Sequence, residues 1–125
     1  ITGTGRYLKE QNPAIQVVAV EPAESPLLSG GRPGPHKIQG IGANFIPSVL
    51  DRTVYDRVLP VSGNDAYQGA RELVRTEGLL CGVSSGAAAF AARKLAAMPE
   101  YQGKSIVTLL PDTGERYLST DLFQP

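Results

Sequence analysis

The sequence predicts an α/β domain: a largely parallel sheet flanked by helices. Three observations carry this. Short β-rich apolar runs alternate with longer helix-compatible stretches along the chain. Helix stop signals fall between them, at Asn12-Pro13, Gly78 and Met98-Pro99. The apolar runs are near-continuous rather than alternating, as in strands buried on both faces.

The elements follow in order. Ile1 to Glu10 reads as a helix, with Tyr7 and Leu8 joining Ile1 and Thr4 on one face, and Asn12-Pro13 ending it. Ile15 to Val20 reads as a buried strand ended by Glu21-Pro22. Ala23 to Pro47 holds most of the turn residues and reads as a long functional loop. Val58-Leu59-Pro60-Val61 is a second short strand. Ser62 or Asn64 caps a helix reaching Thr76, with Gly78 as its stop. Leu79 to Val83 is expected as a third strand. Ser84 or Ser85 is expected to cap the alanine-rich helix that follows, and Lys104 to Leu110 is expected as the last strand.

Composition narrows the function. The chain has 125 residues, enough for one modest core. Twelve basic and twelve acidic residues leave a formal charge of zero, which gives no electrostatic case for nucleic acid or an anionic membrane. No apolar run approaches the roughly 20 residues of a membrane span. One cysteine, Cys81, excludes an internal disulfide framework and a cysteine-rich zinc site, and fits a reducing compartment. Cys81 itself is expected as a small buried thiol. His36 is the only histidine and has no ligand cluster around it in sequence, so no metal site is expected.

Three segments carry chemistry. Val83-Ser84-Ser85-Gly86-Ala87-Ala88 lies at a strand-to-helix junction, where ligands bind in open α/β sheets. On spacing alone the serines read as helix caps or as ligand hydrogen-bonding groups. Leu110-Pro111-Asp112-Thr113-Gly114 ends another apolar run and reads as a Pro-Asp turn or a ligand-facing turn. Gly34-Pro35-His36-Lys37-Ile38-Gln39-Gly40-Ile41-Gly42-Ala43 has glycines that let backbone approach a ligand. By itself the His-Lys pair reads as surface. Gly3-Thr4-Gly5 lacks the third glycine and the preceding strand of a dinucleotide loop.

Taken together, these segments and Gly114-Glu115-Arg116-Tyr117-Leu118-Ser119-Thr120 resemble the cysteine synthase (O-acetylserine sulfhydrylase) family. The resemblance covers essentially the whole chain. It implies the C-terminal, larger domain of the tryptophan synthase β-like fold of pyridoxal-phosphate enzymes, with residues 1–125 as part of that domain. It implies pyridoxal 5'-phosphate as cofactor, and O-acetylserine and sulfide as substrates. It also implies a cytoplasmic homodimer and, as a further partner, the C-terminal tail of a serine acetyltransferase.

By the same resemblance Ser84 bonds the pyridine nitrogen, with Gly40, Pro111 and Asp112 beside the cofactor. His36, Lys37, Gly42 and Ala43 form the substrate and partner rim. Glu115 and Arg116 are expected to be structural, as an ion pair or backbone anchors. The family has glycine where Asn44 stands. Its phosphate loop would lie just before Ile1, with Thr2 near the phosphate but not a ligand. Its cofactor-bearing lysine matches none of Lys9, Lys37, Lys94 and Lys104. The chain alone is therefore expected to be inactive. Without the resemblance, an α/β module binding a peptide or nucleotide through Gly34 to Pro47 fits the residues. Cystathionine β-synthase-like and cyanoalanine synthase-like relatives share the fold.

Overall fold

The computed structural model describes residues 1–124. Helix α1 spans Thr2–Gln11, strand β1 Val18–Pro22 and strand β2 Arg57–Val61, followed by helices α2 (Gly63–Glu77) and α3 (Val83–Ala96). Single 3-10 turns occupy Pro99–Tyr101 and Gly114–Tyr117. β1 and β2 pair in parallel, from Val18 opposite Arg57 to Pro22 opposite Val61. Parallel neighbours need a long crossover, and here residues 23–56 supply it.

The core lies between the strands and the α2–α3 pair. Val61, Ala66, Ala70, Val83, Ala87, Ala91 and Leu95 fill it, closed by Ile38 from the loop and Leu122 from the C-terminal segment. Helices α2 and α3 meet through small residues. A Cβ on Gly86 would overlap the Ala66 carbonyl oxygen, and one on Gly69 would overlap the Gly86 carbonyl oxygen. The two backbones are thus in direct contact. Arg71 ties the C-terminal segment to α2, donating from Nε to the Leu122 carbonyl at 2.6 Å and from Nη2 to the Asp121 carbonyl at 2.7 Å.

Several expectations are met. α1 stops at Asn12, and α2 runs from a Ser62 cap, whose hydroxyl accepts from Asp65 N, to a left-handed Gly78. Others are corrected. The apolar face of α1 is not its buried one: Ile1 and Tyr7 are exposed, and Gly5 is the buried residue, seated against Val54 and Val17. β1 starts at Val18 rather than Ile15 and includes Glu21 and Pro22.

Leu79 to Val83 and Lys104 to Leu110 are not strands. The first makes one antiparallel bridge, Cys81 to Thr113. The second is extended, with Val107 and Leu109 exposed. Its backbone from Ser105 to Leu110 has no ladder partner among the described residues. A β-prone sequence becomes a strand only where a neighbour supplies the hydrogen bonds. No described helix is long and apolar enough to cross a membrane.

Candidate cofactor site

The long loop is held by buried polar groups rather than by secondary structure. Glu21, buried at the end of β1, accepts from Leu28 N at 2.7 Å and Ser29 N at 3.0 Å, and from the Ser29 hydroxyl. Ser25, also buried, donates to Asn44 Oδ1 at 2.7 Å and accepts from Gly34 N at 3.3 Å. Thr2 Oγ1 accepts from Asp51 N at 3.0 Å, which ties the far end of the loop to α1. Asp51 is held down to about 2 by hydrogen bonds from Thr53 and Arg6.

His36 is a staple of this loop. Its Nδ1 accepts from Ile38 N at 3.3 Å, so Nε2 carries the proton and donates to the Gly42 carbonyl at 2.7 Å. Both ring nitrogens are engaged within the loop. The neighbouring Lys37 ammonium lies 4.6 Å from the centroid of the Tyr67 ring on α2.

Beyond the staple the chain takes left-handed backbone at Gly40 (φ 95°), Gly42 (φ 65°) and Asn44 (φ 62°). Asparagine is among the few side chains that tolerate this conformation, and its bond to Ser25 helps to hold it. Asn44 therefore leaves the loop geometry attainable. Gly40, Gly42, Ala43 and Asn44 line a pocket of about 430 Å³ with Val20, Leu27 and Phe45.

Gly40 reaches across to α3. A Cβ there would lie 3.4 Å from Ser84 Oγ. Two of the sequence-derived site residues, 44 positions apart, are thus neighbours. Ser84 is only 5% exposed, and its hydroxyl lies beside the Asp112 carboxylate, near enough to help lower that carboxyl.

The serines do not cap α3. The cap residue is Gly82, and Ser84 and Ser85 are the second and third helical residues. The capping group is instead the side chain of Asp112, 27 positions away. Asp112 Oδ1 accepts from Ser85 N at 3.1 Å and from the Ser85 hydroxyl, while Oδ2 accepts from Tyr117 Oη at 2.9 Å. A carboxylate at a helix N-terminus satisfies orphan N–H groups and meets the positive end of the dipole. Burial works against the Asp112 charge, but the bonds from Ser85 and Tyr117 outweigh it and hold its pKa below the ordinary value. Tyr117 is pushed up to about 12, by burial and by donating to that carboxylate. Burial and the Asp112 charge push the Cys81 thiol up, as suits an inert buried cysteine.

The backbone completes the junction. Gly82 N donates to the Asp112 carbonyl and Gly114 N to the Leu80 carbonyl, both at 3.1 Å. A Cβ on Gly82 would overlap the Asp112 carboxylate and lie 2.5 Å from the Tyr117 ring. Pro111 is exposed beside Asp112. Glu115 and Arg116 are exposed and make no ion pair among the described residues, so the expected pairing is not formed. Their neighbour Tyr117 does the structural work. Sequence reasoning missed Tyr117, since nothing in its spacing from Asp112 announces the bond. It also missed Glu21, although an acid between a buried run and a proline is a readable signal.

No described lysine sits at this junction unpaired. Lys9 donates to both oxygens of Asp56 at 2.8 Å, Lys37 lies over Tyr67, and Lys94 and Lys104 are exposed. No group of three or more His, Cys, Asp or Glu among the described residues could hold a metal ion. The geometry brings the Ser84 hydroxyl, on the first turn of α3, beside the Gly40 backbone and the Asp112 carboxylate.

The family model for pyridoxal-phosphate dependent enzymes matches residues 1–112. A cysteine synthase of Staphylococcus aureus (strain N315) is 49% identical over 123 residues, covering 98% of this chain and 39% of the relative. The cysteine synthase structure from Entamoeba histolytica superposes with a TM-score of 0.96 at 48% identity, over 98% of this chain and 36% of that one. The O-acetylserine dependent cystathionine β-synthase of Helicobacter pylori superposes with a TM-score of 0.83 at 44% identity, over 97% of this chain and 39% of that one. The chain therefore spans about two fifths of the length of the curated relatives it matches.

Proposed function

Since this chain belongs to the family of pyridoxal-phosphate dependent enzymes, we propose that it is the ring-holding part of a cysteine synthase. The reaction replaces the acetate of O-acetyl-L-serine by sulfide and gives L-cysteine. The observation that carries this reading is the Ser84 hydroxyl, on the first turn of α3, beside the backbone of Gly40. The identity of 49% to a cysteine synthase supports the substrate pair.

When bound, pyridoxal phosphate supplies the electron sink that stabilises negative charge at the substrate α-carbon. The remaining roles fall to the residues of the chain. Ser84 Oγ would donate a hydrogen bond to the ring nitrogen. Because a hydroxyl is neutral, it leaves that nitrogen unprotonated and the sink moderate, which suits loss and replacement of a β-substituent over transamination. Gly40 would keep the backbone beside Ser84 free of a side chain, and its left-handed φ of 95° favours glycine there. Pro111 and the backbone of Asp112 wall the far side. The Asp112 carboxylate is occupied by Ser85 and Tyr117, so it is a support rather than the ring's partner.

The lysine that removes the α-proton comes from outside these residues. His36, Lys37, Gly42 and Ala43 shape the rim over which substrate, or an acetyltransferase tail, would pass. The protein would act as a cytoplasmic homodimer.

The test uses the full-length protein loaded with cofactor. Cysteine should form from O-acetylserine and sulfide, and Ser84→Ala should lower kcat by about tenfold or more, a hydrogen bond to a developing charge being worth about 1.5–3 kcal/mol. A second reading, replacement by a thiol amino acid, is favoured by the similarity to the Helicobacter pylori enzyme. Cystathionine formed from homocysteine, with no cysteine formed from sulfide, would select it. Failure to bind the cofactor at all would leave a non-catalytic module.

A further inference from the structure

Tyr117 stands outside every role assigned so far, yet it completes the support under Ser84. Its hydroxyl donates to Asp112 Oδ2 at 2.9 Å, and Asp112 Oδ1 accepts from Ser85 N at 3.1 Å. Ser85 follows Ser84 directly on the first turn of α3. The ring of Tyr117 packs on Gly82, the residue before the helix, closely enough that a Cβ there would lie 2.5 Å from it. One side chain thus touches both the start of the helix and the carboxylate that caps it.

The geometry matters because a carboxylate beside a ring nitrogen would compete with the hydroxyl. Asp112 is half-buried and bonded to Ser85, the residue that follows Ser84. With Oδ1 on Ser85 and Oδ2 on Tyr117, both oxygens are tied to neighbouring donors. A bond to a charged acceptor is stronger than a neutral pair, so the phenol is well suited to hold the oxygen away.

We propose that Tyr117 is a positioning residue for the cofactor's ring nitrogen: through Asp112 it fixes the first turn of α3, so that the Ser84 hydroxyl and not the carboxylate faces the ring. The inference rests on Ser84 being the ring's partner, as in the function proposed above. It adds a role for the tyrosine that acts through two other residues and touches no reacting atom.

The test is cofactor binding, read without turnover. Apo full-length protein is titrated with pyridoxal phosphate, and the absorbance of the bound cofactor is followed across pH. Tyr117→Phe keeps the ring and its packing but removes the donor. It should weaken binding by about three- to tenfold, and the released Asp112 oxygen should make the bound spectrum pH-dependent where the parent's is flat. In an Asp112→Asn background the same tyrosine change should add little, because its target charge is gone.

Equal binding and equal spectra for Tyr117→Phe and parent would overturn the inference, as would an undiminished loss in the Asp112→Asn background. If Tyr117→Phe fails to fold, Asp112→Asn alone decides: cofactor affinity and spectrum like the parent's would refute the support. Ser84→Ala separates the two claims. If it weakens binding while Tyr117→Phe does not, only the positioning role fails. If the parent binds no cofactor, the functional reading fails as well.

Discussion

The contact between α2 and α3 is a backbone-to-backbone approach, and it yields a sharp stability prediction. At Gly86 a Cβ would overlap the Ala66 carbonyl oxygen, and would lie 2.5 Å from Ala70 N and 2.8 Å from Ala70 Cβ. Ordinary contact begins near 3.4 Å, so α2 would have to retreat by about 1 Å. The obstructing atoms are backbone and cannot rotate away. Such overpacking costs about 3 kcal/mol, offset by about 1 kcal/mol of better helix propensity for alanine. Gly86→Ala should therefore destabilise the protein by about 2 kcal/mol, roughly 30-fold in the folding equilibrium.

Gly69→Ala meets the Gly86 carbonyl from the other side and should cost a similar amount. The double variant should cost clearly less than the sum, because one retreat of the helix clears both methyl groups. Urea unfolding of the full-length protein, followed by far-UV circular dichroism, measures all three. An unchanged or raised midpoint for Gly86→Ala would refute the reasoning. Strict additivity would refute the claim that the two glycines share one gap.

Three further outcomes follow from the same structure. Asp112 has a folded-state pKa below its ordinary value, so its stabilising contribution is present at neutral pH and is lost as pH falls through the acid range. Asp112→Asn should thus cost about 1–2 kcal/mol at pH 7 and progressively less below about pH 4, as checked by urea midpoints across that range. Asn44→Ala should cost about 1–2 kcal/mol through left-handed strain and the lost Ser25 bond; Asn44→Gly should cost less, and equal melting of the two variants would contradict the account. Glu21→Ala strips the acceptor from two backbone N–H groups and should loosen residues 25–30, seen as faster amide exchange at Leu28 and Ser29, while α1 stays protected.

How much of this was legible in the sequence depends on what each feature needed. α2 was readable almost to the residue, because Ser62 and Gly78 act locally on the helix they bound. The expected strands at 79–83 and 104–110 were not formed, because a strand is a property of a pair. The β-rich run Ile106 to Leu110 shows propensity without a partner, and Val107 ends up 94% exposed. Ser84 beside Gly40 was anticipated through resemblance, not spacing. Forty-three intervening residues, running through loop, β2 and α2, put that contact beyond periodicity.

The capping of α3 shows why a local rule misled. A serine at a strand-to-helix junction is the favoured cap, and two serines stood there. In the structure the cap comes from Asp112, outside the helix, and this releases Ser84 from its expected task. A serine that capped its own helix would spend its oxygen on a backbone N–H. Moving the cap to a distant carboxylate leaves the Ser84 hydroxyl clear of the helix N–H groups, next to Gly40. The error in placing the cap and the availability of Ser84 for a ligand therefore have one physical cause.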